Sequence, residues 1–176
     1  MCVIAAFSNL TPFVFTIQPM NGLTMDFPLT LAAIFRRAES MFGRREIVTR
    51  LQDASIHRYH YADFARRARR LAGALQRLGA RPGDRIATLG WNHYQHLEAY
   101  FGIPMMGGVV HTLNLRLHPD EITYIVNHAD DRIVIVDESL FPLWDRVRPQ
   151  TSVSTTIVVA AGGALPPGCL DYEALV

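Results

Sequence analysis

The sequence predicts an α/β protein: a partial parallel sheet with helices on both faces. Three observations carry this prediction. Between Arg85 and Ala160, apolar runs of strand length alternate with helix-length segments, and a strand recurs about every 23 residues, the spacing of a βαβ unit. The run Arg132–Asp137 (RIVIVD) is continuously apolar between its charged ends, as a strand buried on both faces must be. Hydrophobic residues make up 49% of the 176 and charged ones 19%, enough apolar surface for a packed core.

The elements follow in order. Residues 1–25 carry no charged side chain. Ser8, Asn9, Thr11 and Pro12 interrupt their apolar run, which lacks the basic start of a secretory signal and is too broken to span a membrane. They are expected to be a disordered or mis-assigned leader, with the true start at Met20 or Met25. Residues 26–176 are then one domain portion. The spacing predicts a helix over Thr30–Phe42, capped by Thr30 and closed by Gly43, with Leu31, Ile34, Phe35, Ala38, Met41 and Phe42 on one apolar face. Glu46–Arg50 and Ile56–Tyr61 read as a hairpin around Gln52–Ser55, with Tyr59 and Tyr61 on one face and His60 on the other. Ala62–Leu78 reads as a second helix. It would bury Phe64, Ala68, Leu71, Ala72, Leu75 and Leu78, turn Arg66, Arg67, Arg69, Arg70 and Arg77 to solvent, and end at a left-handed Gly79.

The regular alternation then begins. Strands are expected at Arg85–Leu89, Val109–Leu113, Arg132–Asp137 and Thr156–Ala160, and helices at Tyr94–Met105, Asp120–Asn127 (behind Pro119) and Leu140–Val147. Residues 162–168 read as a loop and Asp171–Leu175 as the start of a helix, which predicts an open sheet edge and an uncovered face.

Composition excludes several chemistries. All 17 basic residues are arginine, so a Walker-type phosphate loop, a Schiff base and a lysine general base are absent from these residues. The net charge of +1 gives no global field for nucleic acid. Cys2 and Cys169 form neither a disulfide framework nor a metal pair by spacing, and a reducing, cytoplasmic setting is expected.

Each cluster of chemistry-bearing residues has a structural reading that outweighs the functional one. Gly102, Gly107 and Gly108 sit in and after a helix and before a strand, whereas a dinucleotide loop follows a strand and opens a helix; they are expected to serve tight packing. His93, His96 and Glu98, or His57 and His60, do not supply a converging set of metal ligands; His93 is expected near a cap and His96 as a hydrogen-bonding residue. Arg66, Arg67, Arg69 and Arg70 lack interleaved aromatics and read as a solvated helix face. No Gly-x-Ser-x-Gly elbow is present, and Cys169 has no neighbour in sequence that would activate it. Asp130, Asp131, Asp137 and Glu138 are expected to solvate strand ends rather than act as an acid–base pair, although Asp137 lies at a carboxyl-terminal strand end, where open α/β sheets bind ligands.

Three pieces of the sequence together carry a family resemblance. His57–Phe64 (HRYHYADF), followed by ARRARRLAGALQRLGARPGDRIA, is similar to an early helix leading into a Gly-Asp-Arg strand. WNHYQHLEAYFGIPMMGGVVHTLNLRL and HPDEITYIVNHADDRIVIVDES resemble the segments that follow it. Residues 26–176 thereby resemble the amino-terminal part of the adenylate-forming (AMP-dependent synthetase and ligase) fold, and specifically the fatty-acyl-CoA synthetases of the medium- or long-chain branch. Leu115 and His118 depart from the proline and the Ser/Thr cap usual there.

The resemblance implies fatty acid, ATP and CoA as substrates of the parent enzyme, with Mg²⁺. It places the family's phosphate loop and catalytic lysine downstream of Val176, so no catalytic, cofactor-binding or metal-binding residue is carried onto this chain, which is expected to be inactive alone. It also suggests homodimer formation. No nucleic-acid partner and no transmembrane segment are expected. The alternative is a stand-alone α/β binding or dimerisation module without catalysis.

Overall fold

The computed structural model describes Phe27 and residues 29–176. The expected leader lies outside these residues. Helix α1 (Leu31–Phe42) is followed by a hairpin of β1 (Glu46–Arg50) and β2 (Ile56–His60), and α2 (Tyr61–Arg77) leads into the main sheet. There follow β3 (Arg85–Leu89), α3 (Tyr94–Met105), β4 (Val109–Thr112), α4 (Pro119–Ala129), β5 (Ile133–Asp137), α5 (Phe141–Val147), β6 (Thr155–Val159), β7 (Leu170–Asp171) and α6 (Tyr172–Leu175).

The main sheet has five strands, all parallel, in the order β4-β3-β5-β6-β7. Alternate side chains along each strand enter different cores, as the period of two requires. Ile86, Ile133, Ile135 and Ile157 face α2, α3 and α6, where Leu71, Leu75, Ala99, Ile103 and Tyr172 cover them. Ala87, Leu89, Val134, Val136 and Val158 face α4 and α5, beneath Ile122, Val126, Trp144 and Val147. Both faces therefore carry helices, as in the predicted fold class, and the separate expectation of an uncovered face is corrected. A third cluster joins Phe35, Tyr59, Phe64, Ala65 and Ala68 and fastens α1 and the hairpin to α2.

Most expected elements are present, with four corrections. Only Phe35 of the α1 stripe is fully buried, and Leu31, Ile34, Met41 and Phe42 are exposed. The reason is that the face α1 turns to the body is built on Phe35, with Glu39 paired to Arg69 of α2 beside it, and these four residues lie outside that contact. Tyr61 opens α2 instead of ending β2, so it does not share a strand face with Tyr59. Leu170–Asp171 forms a strand beside β6, which two residues in a Pro/Gly context do not announce. Arg67 turns inward, as described below. Gly79, at φ 94°, closes α2 in the left-handed conformation expected of it. Ala54 adopts φ 67° in the glycine-free hairpin turn, which Asp53 stabilises by accepting from the Ser55 backbone N–H at 2.9 Å.

Candidate functional site

The strand order fixes where a ligand can enter. From β3 the chain winds through α3 to β4 on one side, then crosses through α4 to β5 on the other. The order therefore reverses between β3 and β5, and open α/β sheets bind ligands in the crevice outside the carboxyl ends of strands at such a point. A cleft of about 340 Å³ lies there, lined by the turn after β3 (Trp91, Asn92, His93), the turn after β5 (Asp137, Glu138, Ser139), the end of β6 and the hairpin turn.

A buried pair forms the floor of this crevice. His93 caps α3, its Nδ1 accepting the His96 backbone N–H at 3.2 Å. That places the ring proton on Nε2, which donates to Asp137 Oδ1 at 2.7 Å. The second oxygen of Asp137 accepts the Trp91 backbone N–H, also at 2.7 Å. Asp137 is 3% exposed. A carboxylate this deep is tolerated because both its oxygens are satisfied. Gly90 makes the approach feasible, since a Cβ there would lie 3.3 Å from Asp137 Oδ1. The sequence reading of Asp137 as a solvated strand end is thus corrected: it ties β5 to the β3–α3 turn.

The neighbouring groups extend the clasp. His96 donates from Nδ1 to the Trp91 carbonyl at 3.0 Å, so its Nε2 accepts from the Thr88 hydroxyl, also at 3.0 Å. Burial lowers the His96 pKa, which fits this neutral role. Ser139 Oγ accepts from both the Trp91 indole N–H and the Gln52 amide, each at 3.1 Å. From the sequence, Trp91 enters only in the segment that carries the resemblance and Gln52 only in the hairpin turn, and neither they nor Ser139 carry a site role there. A Gly-Trp pair directly after the strand that starts the alternation was the signal available.

The remaining candidate residues have structural roles. Glu98 is fully buried and accepts from Arg67 Nε at 2.7 Å and from the Tyr172 hydroxyl at 2.8 Å. Arg67 also grips both oxygens of Glu173 at 2.9 Å. Arg67 is therefore not a solvated residue, because α2 crosses α3 with this position facing the seam. Burial pushes the Glu98 pKa up, against the pull of Arg67. Burial also pushes Glu173 up, but its bonds from Arg67 outweigh that and hold it below the usual range.

His57 stacks on Tyr94 with ring centroids 3.9 Å apart, while His60 lies at the exposed start of α2. Asp131 is buried and binds His111 at 2.7 Å, which corrects its reading as a solvated strand end. Asp130 remains exposed beside Arg132, and Glu138 accepts the Ala161 backbone N–H. Cys169 lies 3.7 Å from Arg148, yet burial dominates and raises its thiol pKa. His118 does cap α4, accepting from the Asp120 N–H at 3.4 Å. A Cβ on Gly108 would meet Ile103 at 3.0 Å, and one on Gly107 would meet Pro82 at 3.0 Å, which is the tight junction expected. Among the described residues no group of three or more His, Cys, Asp or Glu could hold a metal ion, and no helix is long and apolar enough to cross a membrane.

Comparison with known proteins places these features in a family. The sequence is 48% identical over 85% of its length to a long-chain-fatty-acid–CoA ligase of Thermus thermophilus, covering 27% of that protein. It is 33% identical over 89% of its length to a medium-chain-fatty-acid–CoA ligase of Ectopseudomonas oleovorans, covering 30% of it. The chain thus spans roughly a third or less of the curated relatives it matches. The fold matches that of a benzoate CoA ligase from Burkholderia xenovorans with a TM-score of 0.69 at 23% identity, over 84% of this chain and 28% of that one. The family described as AMP-binding enzyme matches residues 35–175, and the chain belongs to that family.

Proposed function

We propose that these residues are the amino-terminal part of the large domain of an AMP-forming fatty-acid–CoA ligase. The observation that carries this reading is the 48% identity to the Thermus long-chain ligase across most of the chain. In the whole protein a fatty carboxylate would attack the α-phosphate of ATP, releasing pyrophosphate and leaving an acyl-adenylate. The thiol of CoA would then displace AMP. The chain's own contribution is scaffold: a parallel sheet packed on both faces, and the crevice between β3 and β5 as one wall of a ligand site.

The 176 residues lack the lysine that the family's phosphate loop requires. Among the described residues no group of three or more His, Cys, Asp or Glu converges, and no step is assigned to Mg²⁺ through these residues. We therefore expect no catalysis from these residues by themselves. The test is ATP–pyrophosphate exchange with the purified 176-residue chain and a fatty acid. No exchange above background is expected, and exchange that depends on the fatty acid would overturn the reading. A cytoplasmic setting and homodimer formation accompany this proposal; sedimentation of the purified chain checks the second.

A further inference from the structure

Trp91 is 43% exposed, yet three bonds hold it. Its backbone N–H donates to Asp137, its carbonyl accepts from His96, and its indole N–H donates to Ser139 Oγ. Ser139 Oγ is fixed in turn by the Gln52 amide. Two of these bonds fix the backbone and the third, from the indole, fixes the ring, whose ordering costs rotamer entropy that partial burial returns only in part. A flat ring fixed in advance offers a ligand a stacking face whose ordering cost is already met. This ring lines the cleft at the topological switch point. Asp53 and Glu138 line the same cleft against Arg50, so its charge does not favour an anion.

We propose that Trp91 is a stacking platform for an uncharged planar ring, a nucleobase or an aryl group, with Ser139 as the residue that positions it. Asp137 and His93 anchor the turn that carries the platform. The inference stands on the geometry of this chain and does not require the ligase reading. Its failure and the failure of that reading are therefore separate results.

The test uses the intrinsic fluorescence of the intact 176-residue chain. The chain has two tryptophans, and the other, Trp144, is fully buried with its indole N–H bonded to Thr156. Titration with adenosine and, separately, with benzamide should give saturable quenching. A response to adenosine alone assigns the nucleobase, and a response to benzamide alone assigns the aryl group. No saturable response to either overturns the proposal, as does an unchanged response in Trp91→Phe.

Should Trp91→Phe alter the melting temperature, acrylamide quenching of the unmodified chain decides instead. Bound ring must shield Trp91 from acrylamide, and unchanged accessibility at saturating ligand overturns the proposal. Ser139→Ala removes the acceptor for the indole and should weaken binding about three- to tenfold, the scale of one released side chain. An unchanged affinity in a folded Ser139→Ala chain would show that Ser139 does not position the ring.

Discussion

At the scale of single residues, the buried ion pairs are the most exposed to substitution. Arg67 reaches between α2, α3 and α6 and neutralises Glu98, which has no contact with solvent. Arg67→Ala would leave that carboxylate buried and unpaired, a loss of about 3–5 kcal/mol. The loss depends on pH. Burial already raises the pKa of Glu98, and removing the cation raises it further. A carboxyl group with a raised folded pKa favours the folded state below its unfolded pKa, and that advantage disappears as pH rises through the folded value. Urea unfolding should therefore show the Arg67→Ala deficit largest near neutral pH and shrinking as the pH falls and Glu98 takes up a proton. A deficit independent of pH would mean that lost packing of the arginine stem, rather than the stranded charge, is responsible.

At the scale of elements, two glycines in neighbouring helices have opposite meanings. Gly102 lies where α3 crosses α2, and a Cβ there would stand 2.9 Å from the Ala68 carbonyl oxygen and 3.1 Å from a Leu71 methyl. Overpacking of a fitted seam costs about 1–3 kcal/mol, more than the roughly 1 kcal/mol that alanine contributes to helix propensity. Gly102→Ala should lower the melting temperature. Gly73 in α2 has only the flexible end of Arg77 near its Cβ position, at 3.4 Å. Gly73→Ala should stabilise by about 0.5–1 kcal/mol, because helix propensity acts there without a clash. Thermal unfolding of the two variants side by side checks both, and a stabilised Gly102→Ala would contradict the close crossing. The sequence placed both helices to within a residue or two, since periodicity and caps are local. It did not distinguish the two glycines, because that depends on which helix lies alongside.

For the whole molecule, the informative surface is the outer side of α1. Leu31, Ile34, Met41 and Phe42 are 45%, 57%, 60% and 43% exposed. An apolar stripe of this kind promotes aggregation when nothing covers it. Ile34→Glu should raise the soluble fraction of the chain on warming, with thermal stability changed by no more than about 0.5 kcal/mol as for other surface positions. Light scattering during a temperature ramp measures the first and circular dichroism the second. Unchanged scattering would show that this stripe does not drive association.

The sequence by itself determined the α/β class, the alternation of strands and helices, the helix caps and the family. All of these depend on neighbours a few residues apart or on patterns the chain carries linearly. Tertiary structure alone decided three things. It decided that α1 keeps most of its apolar stripe in solvent, because amphipathicity states which face could be buried and not whether a partner is present. It decided that Glu98, Asp131 and Asp137 are buried and that Arg67 is half-buried, because a charged residue enters the interior only where its counterpart arrives from a distant element. His93 and Asp137 are 44 positions apart. It also decided that the β3–α3 and β5 turns meet at one crevice with Trp91 held above it, since that follows from the strand order, and strand order is a property of the assembled sheet.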